Sequence, residues 1–295
     1  MKSPRFQELA FQGAVLAAVT AFAFLCFYPF YYMAIYSLSD PAEVVKTRLY
    51  WLPVGFTFSN YIELISLKGV ALAAVISVSR TVLGTLVTVL VSALFAYALT
   101  KVDLPFRKVF YRFAVISMYV NAGLIPWYVV MFKLGLKDNY LVYILPYAVS
   151  VFFVMIIKTS IEQLPTALEE SAVIDGANVW TIFWKIILPL VTPILAAVAV
   201  FSAVGQWNNW TDNFFLVRDP NLQTLQMTLM RYLMQADALA QQARSGVSAQ
   251  NLHATLSPIA IKMTLTVIVA LPIVIVYPLM QKYFVKGLLI GAVKG

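Results

Sequence analysis

The chain has 295 residues, of which 61% are hydrophobic and only 12% are charged. Soluble domains carry about 25% charged residues, so this composition excludes a soluble globular protein and predicts that lipid covers the excess apolar surface. The net charge of +8 does not require nucleic acid as a partner, because basic residues collect at the cytoplasmic ends of membrane helices.

Six stretches are long and apolar enough to predict membrane-spanning helices, each of which needs about 20 residues. They are residues 13–37, 72–99, 110–132, 140–158, 186–206 and 259–281. The basic N-terminus and the cluster of Lys and Arg within 101–112 favour a cytoplasmic position for both termini. The sequence therefore predicts an all-α, polytopic membrane protein with six transmembrane helices.

This topology places two long segments, 38–71 and 207–258, on the outer side of the membrane. In the second, Leu222, Leu225, Leu229 and Leu233 recur at helical spacing, which predicts an amphipathic helix. That helix either rests on the outer ends of the bundle or docks another protein. Arg80 and Lys262 lie near outer helix ends, where a charged group is expected to extend to the interface.

The segment between the fourth and fifth spans predicts a short cytoplasmic helix at about 166–176. Thr166 and Glu169 have the spacing of a capping box, and the first turn, where Glu170 also lies, favours negative charge. Gly176 can adopt the left-handed conformation that ends a helix. From composition, this is either an interfacial linker with solvated carboxylates or a rigid knob that contacts another protein.

Motifs for catalysis and for metal binding are absent from the sequence. No G-x-x-x-x-G-K-[ST], H-E-x-x-H or G-x-S-x-G occurs, and the chain has one histidine and one cysteine. A phosphate cradle, a His- or Cys-based metal site and a disulfide framework are therefore excluded. We expect no catalytic residue and no cofactor in this chain.

One pattern is specific to a family. From Glu170 the chain reads E-S-A-x-x-x-G, then nine residues, then I-x-L-P ending at Pro189. It resembles the E-A-A-x-x-x-G-x9-I-x-L-P signature of ABC importer permeases, with Ser171 in place of the first alanine. The carbohydrate-uptake branch, which includes the second permease of the maltose transporter and permeases for complex oligosaccharides such as alginate oligomers, is similar in further segments: N-A-G-L-I-P-W-Y at 121–128, L-G-L at 134–136, W-N-N-W at 207–210, D-P at 219–220, and the stretches 281–287 and 291–295.

The resemblance implies a permease subunit of an ATP-driven importer for oligosaccharides, which moves its substrate by alternating access. The 166–176 helix would be the coupling helix, where Glu170 meets a basic residue of the ATPase while Ser171 and Ala172 allow close packing. Implied coupling residues are Glu169, Glu170, Ser171, Ala172, Asp175 and Gly176.

The resemblance also implies partners. This chain would be no enzyme, because ATP and Mg²⁺ would be bound by a separate dimer of ATPase subunits. A second homologous permease subunit would complete the pore, and an extracytoplasmic sugar-binding protein would contact segment 207–258. The location implied is the bacterial cytoplasmic (inner) membrane, with lipid around a multi-pass chain and no nucleic acid.

We expect three regions. Residues 1–71 comprise a cytoplasmic lead, the first transmembrane helix and an outer loop; residues 72–281 form the permease core; residues 282–295 form a cytoplasmic tail. Hydrogen-bonding and aromatic side chains would line the sugar path, although Trp and Tyr also collect at membrane interfaces without any ligand. Candidates are Tyr119, Asn121, Trp207, Asn208, Asn209 and Trp210.

The rival interpretation is a self-contained secondary transporter or a channel for small polar solutes. Such a protein is expected to carry buried ionisable residues within its spans, or inverted repeats with broken helices. The sequence shows few such charges and no clear repeat. This interpretation also leaves the 166–189 pattern unexplained.

Overall fold

The computed structural model describes residues 4–46, 51–244 and 259–278, and over these residues it is helical and contains no strand. The predicted all-α class is confirmed for this part of the chain. The predicted C-terminal tail, 282–295, lies outside the described residues, as do 245–258 of the outer segment. The helices are α1 (Pro4–Ser37), α2 (Pro41–Lys46), α3 (Ser59–Ser66), α4 (Val70–Thr100), α5 (Arg107–Tyr119), α6 (Leu124–Lys133), α7 (Val151–Glu162), α8 (Ala167–Ile174), α9 (Val179–Ile182), α10 (Leu188–Leu190), α11 (Thr192–Asn208), α12 (Thr211–Leu216), α13 (Leu225–Arg244) and α14 (Ile259–Pro278).

Three stretches are single helices long and apolar enough to cross a membrane: Phe11–Ser37 within α1, all of α4, and α14. Two further spans are bent. Tyr140–Tyr147 meets α7 at 46°, and Val179–Leu190 meets α11 at 80°. By length and composition, the described residues thus supply three spans, or up to five when each bent pair counts as one.

The predicted third span, 110–132, is not one continuous helix. Helix α5 ends at Tyr119 and α6 begins at Leu124. Between them Gly123 has φ +81°, and its N–H donates to Oδ1 of Asn121 at 2.9 Å. The expectation of a single helix was wrong because an average over apolar residues hides a glycine turn of this kind.

The described residues of 1–70 and 229–271 form one compact unit. Its buried cluster joins Ile35 and Tyr36 at the end of α1 to Ala260 of α14. Asn60, 2% exposed, donates from Nδ2 to the carbonyls of Ser37 and Ser39, at 2.9 Å each. These bonds fix α3 to the chain just after α1.

The described residues of 71–228 and 272–295 form a second unit, which contains the candidate site. Its main core packs α4, α7 and α11 together with the residues that follow α8; Ile157, Phe183 and Val198 are at most 1% exposed. A second cluster includes Tyr143 and Leu216, both fully buried. The first cluster holds α8, and the second holds α12.

Candidate functional site

Helix α8 has one buried residue and a broad exposed surface. Ala172 is 8% exposed and packs into the main core. Glu170 is exposed, as are Val173 (61%) and Ile174 (86%). Ala172 therefore packs within its own chain, while an acid and two large apolar side chains remain uncovered.

The expected capping box at the start of α8 is wrong. Thr166 already has helical angles, φ −59° and ψ −30°, and makes no side-chain cap bond, since that bond needs an extended N-cap residue. The carboxylate of Glu169 instead forms an ion pair with Lys101, just after the end of α4. The ammonium of Lys101 also lies 4.1 Å from the centroid of the Tyr97 ring.

The end of α8 has the predicted glycine geometry. Gly176 has φ +80°, and the N–H of Ala177 bonds to the carbonyl of Ala172 at 2.9 Å. The hydroxyl of Ser171 donates to the carbonyl of Ala167 at 2.7 Å, and Asp175 is exposed. A cleft of about 470 Å³, lined by Lys101, Glu169 and Glu170 among others, separates α8 from the residues that follow α4.

A polar cavity of about 340 Å³ lies between α4, α7 and α11 in the same unit. Hydroxyls and amides converge on it, and the rings of Phe153 and Phe201 complete part of its wall. This lining offers hydroxyls, amides and aromatic faces, and within the described part of the chain it carries no charged group. The polar lining residues are Thr88, Tyr147, Ser150, Ser202, Gln206 and Asn209.

Of the six predicted path residues, only Asn209 lines this cavity. Tyr119, 84% exposed, ends α5, and Asn121 lies in the turn between α5 and α6. Trp207 and Asn208 form the last turn of α11, and the Trp210 ring packs against that of Phe214 with centroids 5.6 Å apart.

Sequence reasoning missed Thr88, Tyr147, Ser202 and Gln206. The available signal was polarity within apolar spans, where a polar side chain generally faces the interior or a water-filled cavity.

A buried ion pair closes the α12 side of the site. Arg80 (1% exposed) donates from Nη2 to Asp212 Oδ2 at 2.7 Å and from Nη1 to Oδ1 at 3.2 Å. Its guanidinium also donates to Oε1 of Gln206 at 3.1 Å and to the carbonyl of Asn209 at 3.0 Å. The expectation that Arg80 extends to the interface was wrong, because a buried acid on a distant segment neutralises it.

Two tyrosines contact the Arg80–Asp212 ion pair and the residues around it. The Arg80 guanidinium lies 4.4 Å from the centroid of the Tyr143 ring, and Asn209 donates to the hydroxyl of Tyr147 at 2.6 Å. A Cβ added at Gly84 would lie 2.6 Å from Nε2 of Gln206, so glycine leaves room for that amide. Gln206 and Asn209 thus contact both the cavity and the ion pair.

The loop after α6 is joined to the loop after α12 by one carboxylate. Asp138, exposed and at φ +52°, accepts hydrogen bonds from the N–H groups of Arg218 and Asp219, the latter at 3.0 Å. These two bonds hold the pKa of Asp138 below its usual value. Among the described residues, no group of three or more His, Cys, Asp or Glu side chains could hold a metal ion.

Comparison with known families assigns the chain. Residues 19–290 match the family of binding-protein-dependent transport system inner membrane components. The chain belongs to this family. It is therefore a multi-pass inner-membrane component of a binding-protein-dependent transport system, and a self-contained transporter or channel is not favoured.

Two curated relatives and one solved structure cover nearly the whole chain. The polygalacturonan/rhamnogalacturonan transport system permease protein YtcP of Bacillus subtilis is 33% identical over 97% of this chain and 98% of its own length. Protein LplC of the same organism is 38% identical over 90% and 89%. The crystal structure of a bacterial ABC transporter involved in the import of the acidic polysaccharide alginate has a matching chain with a TM-score of 0.83 and 29% identity, over 96% of this chain and 99% of that one.

Proposed function

We propose that this chain is the transmembrane permease subunit of an ATP-driven importer for oligosaccharides. The observation that carries the proposal is α8, which is fixed to its own core through Ala172 and still exposes Glu170, Val173 and Ile174. A short helix that packs on its own core on one side and is exposed on the other can transmit the displacement of a docked protein to the membrane helices. Closure of a separate ATPase dimer, which binds ATP and Mg²⁺, thereby moves the membrane-spanning helices.

The remaining parts of the assembly follow from this role. Six spans place both termini and α8 in the cytoplasm, with 1–71 as lead, first span and outer loop, 72–281 as the permease core and 282–295 as a tail. A second homologous permease completes the pathway. An extracytoplasmic sugar-binding protein docks on segment 207–258, where Leu225 and Leu229 of α13 are buried within this chain while Arg231, Met234 and Gln235 are exposed.

The residues of the coupling helix have different roles. Glu170 meets a basic residue of the ATPase, and Ser171 keeps that contact close because its hydroxyl is already bonded to its own helix. Glu169 ties α8 to Lys101, while Gly176 lets the chain turn. Asp175 lies at the exposed end of the helix.

The substrate class rests on the chemistry of the polar cavity. Neutral hydroxyls and amides beside aromatic rings suit a polyhydroxylated ligand, which needs many hydrogen bonds and apolar ring faces. The predicted path residues Trp207, Asn208, Asn209 and Trp210 then lead from the cavity to the outer side, and Tyr119 and Asn121 line the path at the α5–α6 break. Transport systems of the relatives carry polygalacturonan and alginate, so acidic oligosaccharides belong in the first test panel.

Charge reversal at Glu170 tests the coupling role. The full chain, assembled with its companion permease, ATPase subunits and binding protein, is assayed in liposomes for ATP hydrolysis stimulated by oligosaccharide-loaded binding protein. Glu170→Lys should lose at least about ten-fold in stimulated hydrolysis, the effect of about 1.4 kcal/mol at a charged contact. Glu8→Lys, a matched reversal at an exposed glutamate of α1, should retain it. Normal uptake by Glu170→Lys would refute the coupling role.

Narrowing the cavity tests the path. A side chain at Gly205 meets open space and lines the cavity, so Gly205→Leu should reduce oligosaccharide uptake without loss of folded protein. Gly13→Leu, on α1 and equally free of neighbours, is the control. Equal uptake by both variants would exclude this cavity from the path.

A further inference from the structure

A second cavity, of about 620 Å³, is lined by basic side chains. The first turns of α5 form one wall and α7 contributes another residue. Val102, Leu104 and Phe106 supply apolar surface, and no carboxylate lines it among the described residues. The basic lining residues are Arg107, Lys108, Arg112 and Lys158.

The positive charge of this cavity is only partly compensated. Glu162 is shared by two of the cations, Lys158 Nζ at 2.6 Å and Arg107 Nη2 at 3.6 Å. Lys108 and Arg112 are exposed and have no acidic partner within the described part of the chain. Four cations thus face one carboxylate, which leaves a surplus of about three charges.

The spacing on α5 joins these cations to an apolar strip. Lys108 and Arg112 lie at i and i+4, on one face of the helix, while Arg107 lines the cavity from the first position of α5. Along that face, one turn beyond Arg112, is Ile116 (60% exposed), and Phe113 (72% exposed) lies three residues before it. A cationic pocket that continues into exposed apolar surface matches a molecule with an anionic head and a hydrocarbon tail.

We propose that this cavity binds the phosphate headgroup of an anionic phospholipid. Lys108 and Arg112 contact the phosphate, and the acyl chains follow the exposed face of α5. Basic pockets between membrane helices bind anionic headgroups in this way, and guanidinium groups pair well with phosphate oxygens. An acidic segment of a partner protein could satisfy the charges but would not account for the apolar strip in the expected third span.

The cavity adjoins the coupling site. Val102 lines both this cavity and the cleft beside α8, and Glu162, which binds two of its cations, lines that cleft as well. A bound headgroup would therefore lie next to the residues that hold α8. The proposal concerns binding alone and does not depend on the oligosaccharide assignment.

Lipid binding by the purified full chain tests the proposal. Native mass spectrometry compares the affinity for phosphatidylglycerol with that for phosphatidylcholine. Removing both cations in Lys108→Gln/Arg112→Gln should weaken phosphatidylglycerol about 30-fold, since each cation near a membrane surface contributes roughly a five-fold factor. Phosphatidylcholine, whose choline cation leaves the headgroup without net charge, should lose much less affinity, and an unchanged circular dichroism spectrum shows that the variant is folded.

Two further arms separate the alternatives. Lys133→Gln/Arg218→Gln, which removes two exposed cations outside the cavity, should keep the wild-type affinity, and so should the charge-conserving Lys108→Arg/Arg112→Lys. Millimolar inorganic phosphate should leave the lipid bound. Equal affinity of Lys108→Gln/Arg112→Gln and the wild type would overturn the proposal, as would displacement by phosphate, which would show a free-anion site. If Lys108→Gln/Arg112→Gln binds lipid as the wild type does but no longer copurifies with the ATPase subunits, the cavity binds a protein partner instead.

Discussion

The Arg80–Asp212 pair makes a quantitative prediction about stability. Arg80→Met and Asp212→Leu each remove one charge and leave the other buried without its partner. Such a loss typically costs about 3–5 kcal/mol, because an uncompensated charge stays in a low-dielectric interior. If the two sites were independent, the double variant would lose about 6–10 kcal/mol.

The structure predicts a much smaller loss in the double variant. With both charges gone, the remaining cost comes from the acceptors that Arg80 had satisfied, Oε1 of Gln206 and the carbonyl of Asn209. Unpaired buried acceptors of this kind cost about 1–3 kcal/mol each. The loss in the double variant should therefore be about 3 kcal/mol or more smaller than the sum of the two single losses.

The assay is denaturation of the full chain in mixed micelles, followed by circular dichroism, for the wild type, both single variants and the double variant. Arg218→Met, at an exposed arginine, serves as the control and should change the free energy of unfolding by less than about 0.5 kcal/mol. Additive losses in the double variant would refute the reasoning, because they would mean that the two charges do not stabilise each other.

Three other predictions follow from the site. Lys101→Glu should impair stimulated ATP hydrolysis, and the exchange Lys101→Glu/Glu169→Lys should restore it, while a double variant no better than the single one would contradict a direct pair. Gly84→Ala should lower the free energy of unfolding by about 1–3 kcal/mol, because the added methyl group displaces the packed amide of Gln206. Gly205→Ala, where the added methyl group meets no neighbour, should leave that free energy unchanged or raise it, as measured by circular dichroism. Equal effects of the two substitutions would argue against the packing of Gln206 on Gly84. Because the pKa of Asp138 is lowered on folding, its contribution is present above about pH 4 and lost as pH falls through the folded value. The protection factors of the Arg218 and Asp219 amides, which correct for the intrinsic pH dependence of exchange, should therefore fall on acidification in the wild type and stay constant in Asp138→Asn.

The sequence predicted the continuous spans well, because 13–37, 72–99 and 259–281 are uninterrupted apolar runs of the length that a bilayer requires. The break within 110–132 was missed, although Asn121 and Gly123 mark it. Bends of 46° and 80° also divide the fourth and fifth predicted spans. Hydropathy reports how much apolar surface a segment carries, but a bend depends on a few backbone angles.

The candidate site was predictable only where its residues are close in sequence. The short helix and its left-handed Gly176 follow from local chemistry, whereas the partner of Glu169 is 68 residues away. Arg80 and Asp212 are 132 residues apart, and no periodicity connects them. The useful local signal was the arginine itself, since a charge within an apolar span calls for a buried partner.

Helix α11 fixes the relative orientation of the core that holds α8 and the polar cavity. Val198 packs in the core that holds α8, and Gln206 contacts both the polar cavity and the ion pair. No loop separates these two positions, so their angular offset is set by the number of residues between them. One residue inserted in this interval would rotate Gln206 by about 100° around the helix axis and direct it away from Arg80. The number of residues in this interval is therefore as much a part of the site as Gln206 itself.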